Sequence, residues 1–214
     1  ELHLIDIDRR VAAEKILLGV GRVANIELGL DKAGVDYDPE KGIIVDKNFR
    51  TSNSKIFAYG DCTDTDRFTH IANNQGRFLV KKRVLPWTQR KDPVVPYVVF
   101  ADRAIAVTSR AGFKDKPYIK RYDITLNNSD RGSIEEDEKS KMSMWVNMIS
   151  GRIDRVEMIG DRVEDQINFF TLLIHQRKSV FTLHDIVIPY PTMLGAYEMV
   201  VSRFLKNYRS NLAK

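Results

Sequence analysis

The chain has 214 residues, and 43% of them are hydrophobic, which is enough for a packed core and excludes a disordered chain. Its net charge of +5 comes from 34 basic residues interleaved with 29 acidic ones, which does not favour a nucleic-acid partner. A single cysteine excludes an internal disulfide framework and a CxxC metal or redox pair, so we expect no metal site and a reducing, cytoplasmic setting. No apolar run reaches the ~18 residues that a membrane-spanning helix needs.

The first 90 residues alternate between strand-like and helix-like sequence. The start at Glu1 resembles neither an initiator segment nor a signal peptide, so it is expected to fall inside a domain. Gly34 is expected to end a short helix, and Thr69 is expected to be the N-cap of a longer one. Strands are predicted over 1–7, 14–21, 42–46 and 55–61, and helices over 26–34 and 70–84.

Residues 86–96, "PWTQRKDPVVP", hold three of the seven prolines and form the best candidate for a domain boundary. The pattern beyond it predicts strand-like runs over 97–109, 118–126, 141–149 and 151–160, and helices over 163–178 and 193–208. Mixed strands and amphipathic helices indicate an α/β or α+β architecture.

The "GD" at 60–61 follows an apolar run, "KIFAY". A carboxylate at the carboxyl end of a sheet strand lies at the crevice where such sheets bind ligands, within reach of a sugar hydroxyl. A simple turn is the alternative that the residues themselves leave open, because Gly-Asp pairs are common in turns.

Four ordered sequence blocks resemble those of the FAD-dependent pyridine nucleotide-disulfide oxidoreductases. The resemblance continues through residues 95–109 to "PYPTM" at 189–193. The blocks are "GVGRVAN" (19–25), "LDKAGV" (30–35), "GIIVDKNFRTSNSKIFAYGD" (42–61) and "THIANNQGR" (69–77). The resemblance implies an α/β fold in which an α+β dimerisation domain follows a partial, Rossmann-like FAD/NAD(P)-binding segment. It assigns 1–22 to the end of the NAD(P)-binding domain, 23–90 to the FAD-binding domain and 91–214 to the dimerisation domain.

The same resemblance implies a flavin site. Asp61 would accept a hydrogen bond from the FAD ribitol, and Gly60 would give the ligand clearance. Free N–H groups and the positive dipole end at His70, Ile71 and Ala72, after Thr69, would face the isoalloxazine. Gly21 and Arg22 match the family's "GRxPN" block, although Ala24 replaces its proline. Cys62 is read as a small packing residue.

Other parts of the family pattern are missing from the chain. It has neither a GxGxxG loop nor a CxxxxC pair, both of which precede the matched blocks in the family. Complete binding of FAD and NAD(P)H therefore requires residues outside this chain, which on its own is expected to be inactive.

The C-terminal block departs from the family most. Disulfide-reducing members carry HPTxxE, whose His is the acid-base partner of the thiols, but here "YPTMLG" places Tyr190 and Gly195 at the His and Glu positions. Tyrosine, with an ordinary pKa of about 10, is a poor base at neutral pH. Tyr190 is the candidate catalytic residue, with a purely structural Tyr as the alternative.

These observations predict the C-terminal part of a homodimeric NAD(P)H oxidoreductase that reduces a small-molecule acceptor other than an ordinary disulfide. A transhydrogenase-like flavoenzyme without a dithiol and a non-enzymatic dimerisation module are the alternatives. The dimer contact is expected on the apolar stripe of Val163, Ile167, Phe170 and Ile174, together with the helix that follows Pro191.

Overall fold

The computed structural model describes residues 2–90, 92–136 and 139–212. It divides into two compact units, residues 1–90 and residues 91–214. In the described ranges, no helix is both long enough and apolar enough to cross a membrane. The assignment of 1–22, 23–90 and 91–214 to three functional domains stays a prediction.

The first unit is built from short elements around a small core. Its strands pair as two antiparallel hairpins, and a 16-residue helix follows them. Its core contains Leu30, Val35, Ile43 and Ala58. The elements are β1 (Leu2–Leu4), β2 (Arg9–Val11), β3 (Tyr37–Asp38), β4 (Gly42–Ile43) and α1 (Thr69–Val84).

Several local predictions for the first unit are wrong. Residues 14–21 form no strand: Leu17 is 97% exposed, and no described strand pairs with this segment, so its backbone has no ladder to join. Residues 55–61 make only a single bridge, between Arg50 and Phe57. The helix expected over 26–34 is one 3₁₀ turn, Asp31–Ala33, and Gly34 ends it in the left-handed region as expected, at φ 64°.

Helix α1 has the predicted extent but not the predicted cap. Phe68, in an extended conformation, is the N-cap and makes no side-chain capping bond, while Thr69 is already helical. The hydroxyl of Thr69 is therefore one residue too late to cap the first turn.

The described part of the second unit contains one five-stranded antiparallel sheet. The predicted run 97–109 is two strands, because the chain turns between Val99 and Ala104. The strands are β5 (Pro96–Val99), β6 (Ala104–Ser109), β7 (Ile119–Thr125), β8 (Lys141–Asn147) and β9 (Ile153–Gly160). Their order across the sheet is β5-β6-β9-β8-β7. The helices are α2 (Asp130–Ile134), α3 (Val163–His175), α4 (Phe181–Asp185) and α5 (Glu198–Leu212).

One face of this sheet carries the core of the unit. Ala106, Met142 and Met158 lie on adjacent strands, and the register pairs Met158 with both of the others. Alternate residues of a strand point to one face, so these side chains form a single apolar layer that α3 and α5 cover.

The surface expected to mediate dimerisation is part of this core. Val163, Ile167 and Phe170 are fully buried and Ile174 is 4% exposed, so α3 packs its apolar stripe against its own sheet. In α5, Val200, Val201 and Phe204 are buried in the same way. The predicted helix over 193–208 divides into a 3₁₀ turn at Met193–Tyr197 and α5, and α3 ends three residues early, at His175.

Candidate functional site

The Gly60-Asp61 pair is fixed against helix α1. It forms a 3₁₀ turn, Gly60–Cys62, rather than a strand end. The Gly60 N–H donates to Oε1 of Gln75 at 2.7 Å, and the Thr63 hydroxyl donates to the Gly60 carbonyl at 2.8 Å. Gln75 and Thr63 are buried, so the first bond fixes the turn to the helix and the second stabilises the turn itself.

The glycine at position 60 is required by packing inside the protein. A Cβ there would lie 2.9 Å from Cβ of Ala72, and its φ of 74° lies in the left-handed region that disfavours side chains. The contact that Gly60 permits is therefore with α1. The clearance for a ligand that the sequence suggests remains a prediction.

Asp61 presents a half-exposed carboxylate beside Arg22. Nη1 of Arg22 lies 3.5 Å from Oδ2 of Asp61, with exposed side-chain fractions of 64% and 46%. The Arg22 and Arg67 guanidinium groups each donate to the other's carbonyl, and Arg67 Nη2 donates to the Glu40 carbonyl at 3.2 Å. At this exposure the ion pair contributes at most about 1 kcal/mol, so its effect is to orient the carboxylate. Gly21, at φ 107°, is exposed and has open space around its Cα.

The first turn of α1 offers fewer free donors than expected. The N–H groups of Ile71 and Ala72 both donate to the Phe68 carbonyl at 3.0 Å, so the prediction of free N–H groups at these two residues is wrong. With Phe68 as the cap, the first intrahelical bonds begin one residue earlier. Ile71 is buried, while Thr69 and His70 are exposed, and the His70 ring lies 5.2 Å from the Phe68 ring.

Cys62 is half-buried, and its thiol contacts the Tyr59 carbonyl at 3.3 Å. This is the environment of a packed thiol. Within the described part of the chain, no three His, Cys, Asp or Glu side chains converge on a possible metal position.

In the second unit, Tyr190 lies on the surface and is joined to another segment. Its side chain is 80% exposed, its peptide bond to Pro191 is cis, and its hydroxyl donates to Oδ2 of Asp130 at 2.8 Å. The hydrogen bond and the negative charge of Asp130 raise the pKa of Tyr190 above its ordinary value. Ionisation is therefore harder than in a free tyrosine, which weakens Tyr190 further as a base. Gly195 has open space around it, so a longer side chain fits there.

A cavity of about 450 Å³ lies next to this loop. Its charged lining is partly neutralised, because Glu135 pairs with both Arg131 and Arg162. The Thr192 hydroxyl is buried at its edge and has no hydrogen-bond partner among the residues that the structure describes. The cavity is lined by Arg131, Glu135, Asp161, Arg162, Asp165, Gln166, Pro191, Thr192, Met193 and Leu194.

Sequence reasoning missed three residues that hold these sites together. Gln75 stands four positions after Ile71, so a polar residue on the buried side of α1 was a usable signal. Arg67 and Asp130 gave no such signal, because each acts on residues far away in the sequence, 45 and 60 positions from its partner.

Comparison with known proteins agrees with this architecture. The family model for pyridine nucleotide-disulphide oxidoreductases matches residues 3–76. Mercuric reductase from Shigella flexneri is 28% identical over 213 residues, which cover 98% of this chain and 38% of that protein. The chain therefore spans less than half the length of this relative.

Two solved structures share the fold at low sequence identity. The HOCl-induced flavoprotein disulfide reductase RclA from Escherichia coli has a TM-score of 0.74 and 20% identity, over 84% of this chain and 43% of that one. LpdA from Mycobacterium tuberculosis has a TM-score of 0.77 and 21% identity, over 87% and 42% of the two chains.

The arrangement of helices and sheet is thus that of a segment of a flavoprotein disulfide reductase fold. The chain is thus similar to the pyridine nucleotide-disulphide oxidoreductase family over residues 3–76, and to mercuric reductase over nearly its whole length.

Proposed function

We propose that this chain is the C-terminal part of a homodimeric flavoprotein that passes electrons from NAD(P)H through FAD to a small-molecule acceptor. The observation that carries the proposal is the Gly60-Asp61 turn: a hydrogen bond from the Gly60 N–H to Gln75 fixes it against α1, while the carboxylate of Asp61 stays half-exposed. The matched blocks on both sides of this turn, and the oxidoreductase relatives, support it.

The residues present fit one part of a flavin. A carboxylate accepts several hydrogen bonds at once, so Asp61 can contact Arg22 and still accept from a ribitol hydroxyl. The exposed start of α1, at Thr69 and His70, would supply the positive end of a helix dipole to the flavin ring. When bound, FAD would supply the two-electron chemistry, and these residues would orient it.

The C-terminal unit supports an acceptor other than a small disulfide. Disulfide reduction of the usual kind needs a base that titrates near neutral pH. Tyr190 does not meet this need, because Asp130 raises its pKa still further. The cavity beside Pro191 and Thr192 is where we expect the acceptor or the partner subunit's loop to lie.

Because the apolar stripe of α3 is buried in the core of its own unit, dimerisation must use another surface. Two exposed apolar side chains belong to the segments that meet at the Tyr190–Asp130 hydrogen bond. Val187, on the Tyr190 loop, is 98% exposed, and Ile134, in the helix that begins at Asp130, is 66% exposed. We propose that this surface, which we call the Tyr190 patch, meets the second subunit. It is defined by Ile134, Val187 and Tyr190.

A non-enzymatic dimerisation module is the second candidate. The observation that favours it is the core of the second unit, in which 22 buried residues of the described part form a single cluster. Such a unit can stay folded without the flavin-binding part. A dimer formed by residues 91–214 alone, with no contribution to FAD or acceptor binding in the longer protein, would favour this candidate.

The test uses the longer protein that we propose contains this chain. It should purify with FAD, and Asp61→Ala should weaken FAD binding by about 1–3 kcal/mol, as expected when a charged hydrogen-bond partner is lost. Asp64→Ala is the matched control, since it also removes an exposed carboxylate that lies near a basic side chain. The Asp64 side chain is 73% exposed, and its Oδ2 lies 3.8 Å from Nζ of Lys41. Equal FAD affinity in both variants would remove Asp61 from the site.

A further inference from the structure

A second cavity lies in the first unit, between the loop after β4 and the C-terminal half of α1. Its volume is about 840 Å³, within the range of about 300–1,000 Å³ that is usual for small-molecule sites. Ten residues line it: Asn48, Arg50, Ser54, Lys55, Phe57, Leu79, Val80, Lys82, Arg83 and Pro86.

The lining residues that the structure describes include four cations and no carboxylate. Among the described residues, none of Arg50, Lys55, Lys82 and Arg83 forms an ion pair. The carboxylate nearest in sequence, Asp46, accepts the backbone N–H groups of Arg50 and Asn48 with its Oδ1, and these bonds together with the positive charge of Arg50 lower the pKa of Asp46. Asp46 therefore offsets part of the Arg50 charge and leaves the charges of Lys55, Lys82 and Arg83. Four like charges around one cavity repel one another, and an anion bound there would relieve this repulsion.

The same cavity has an apolar floor. Phe57 is 47% exposed and Val80 is 67% exposed, with Leu79 and Pro86 beside them. The Arg50 guanidinium lies 5.9 Å from the centroid of the Phe57 ring, and the backbone bridge between the two residues fixes them opposite each other. A ring surface next to cations suits a ligand that is aromatic at one end and anionic at the other.

We infer that this cavity binds a nucleotide-like polyanion, an aromatic ring that carries two or more phosphate groups. An isolated phosphate would leave the apolar floor uncovered, and a neutral ring would leave the four cations unpaired. The ring stacks on Phe57, and the phosphates lie among Arg50, Lys55 and Arg83. Lys82 contributes charge from a fixed position, because its Nζ donates to the Thr88 carbonyl at 3.1 Å.

The experiment measures binding of ADP to the 214-residue chain by calorimetry at low ionic strength. ADP should bind more tightly than either pyrophosphate or adenosine, and the affinity should fall as salt is raised. Arg50→Gln and Arg83→Gln should each weaken ADP binding about tenfold, as expected for a charge-assisted hydrogen bond. Phe57→Leu should reduce the preference of the site for ADP over pyrophosphate.

Arg77→Gln is the matched control, because Arg77 is exposed on α1 but does not line the cavity. It should change the affinity less than about twofold, the residual effect of one distant charge. Lys55→Gln, on the loop, repeats the test if either arginine variant fails to fold by circular dichroism. Equal losses in Arg77→Gln and the cavity variants, or pyrophosphate binding as tight as ADP binding, would overturn the inference. None of these variants alters Asp61, so FAD binding by the longer protein tests the proposed function separately.

Discussion

The Tyr190 hydroxyl donates a 2.8 Å hydrogen bond to Oδ2 of Asp130, a residue 60 positions earlier in the chain. Asp130 is the first residue of α2, and Tyr190 precedes the cis bond to Pro191. The bond therefore ties the loop that contains Tyr190 and Pro191 to a separate helix. Loss of the phenol proton would place two negative charges side by side, which is why the pKa of Tyr190 is raised.

The first prediction is that Asp130→Asn lowers the pKa of Tyr190 towards its ordinary value near 10. The amide of Asn carries no charge, so ionised Tyr190 is no longer repelled. Tyrosinate absorbance, recorded against pH and subtracted from that of Tyr190→Phe, isolates this residue from the other seven tyrosines. Asp161→Asn, on the cavity lining but not bonded to Tyr190, should leave the curve unchanged. A curve that is identical in both Asp variants would mean that the bond does not persist in solution.

The second prediction is that Gly60→Ala destabilises the first unit by more than its backbone conformation explains. A positive φ alone costs about 1–2 kcal/mol for a residue with a side chain. Gly34→Ala measures that cost separately, because Gly34 has φ 64° and no atom lies within 4 Å of the position that a Cβ would take there. The added cost at Gly60 comes from the 2.9 Å approach to Ala72.

Hydrogen exchange of the α1 amides measures this difference, since the two units need not unfold together. The double variant Gly60→Ala/Ala72→Gly should recover the part due to the contact but not the part due to φ. Equal effects of Gly60→Ala and Gly34→Ala would show that the turn does not press on α1.

The sequence predicts the second unit better than the first for a physical reason. In the described part of residues 91–214, every strand has a partner and the apolar stripes of α3 and α5 have a sheet to cover, so periodicity and structure agree at β7, β8, β9 and α3. In the first unit, the apolar segment at 14–21 has no described strand beside it, and Leu17 and Val20 are exposed. A strand-like pattern in the sequence favours an extended backbone, but a strand forms only where a neighbouring strand supplies hydrogen-bond partners.

The site shows the same division. The Gly-Asp pair and the helix after it are visible as a motif, because both lie in one stretch of 25 residues between Gly60 and Val84. The reciprocal hydrogen bonds between Arg22 and Arg67 and the Tyr190–Asp130 bond cannot be read from the sequence, because only tertiary folding brings those residues together. The stripe of α3 is plainly apolar in the sequence, but the sequence alone does not show whether it faces the sheet or a second subunit.

The third prediction separates these two roles of α3. Phe170→Ala should lower the free energy of unfolding of the second unit by about 3–5 kcal/mol, because it empties part of the core. Leu172→Ala is the control on the same helix: Leu172 is 52% exposed, and the loss should be within about 0.5 kcal/mol. Unfolding in urea, followed by tryptophan fluorescence in a Trp87→Phe background that retains the buried Trp145, reports this unit.

Association provides the complementary measurement. Val187→Glu, in the Tyr190 patch, should reduce dimer formation in sedimentation at micromolar concentration and leave the unfolding curve of the monomer unchanged. Leu172→Glu, outside the patch, is its control. A dimer that persists in Val187→Glu would exclude the Tyr190 patch as the interface.

The last prediction concerns electron acceptors of the longer protein. We propose that Tyr190 takes the position of the family's histidine; since Asp130 raises the pKa of Tyr190, this position then lacks a base suited to thiol chemistry. Such a base typically contributes ~10²–10⁴ in rate. The protein should therefore oxidise NAD(P)H much faster with quinones, dyes, metal ions or a second nicotinamide than with glutathione disulfide or lipoamide.

Tyr190→His combined with Gly195→Glu should raise any residual disulfide reduction, since nothing lies within 4 Å of a Cβ added at Gly195. Tyr190→Phe is the control, because it removes the hydroxyl without adding a base, and it should leave disulfide reduction at its low level. Rapid turnover of a small disulfide by the unmodified protein would contradict the prediction and show that another group supplies the proton.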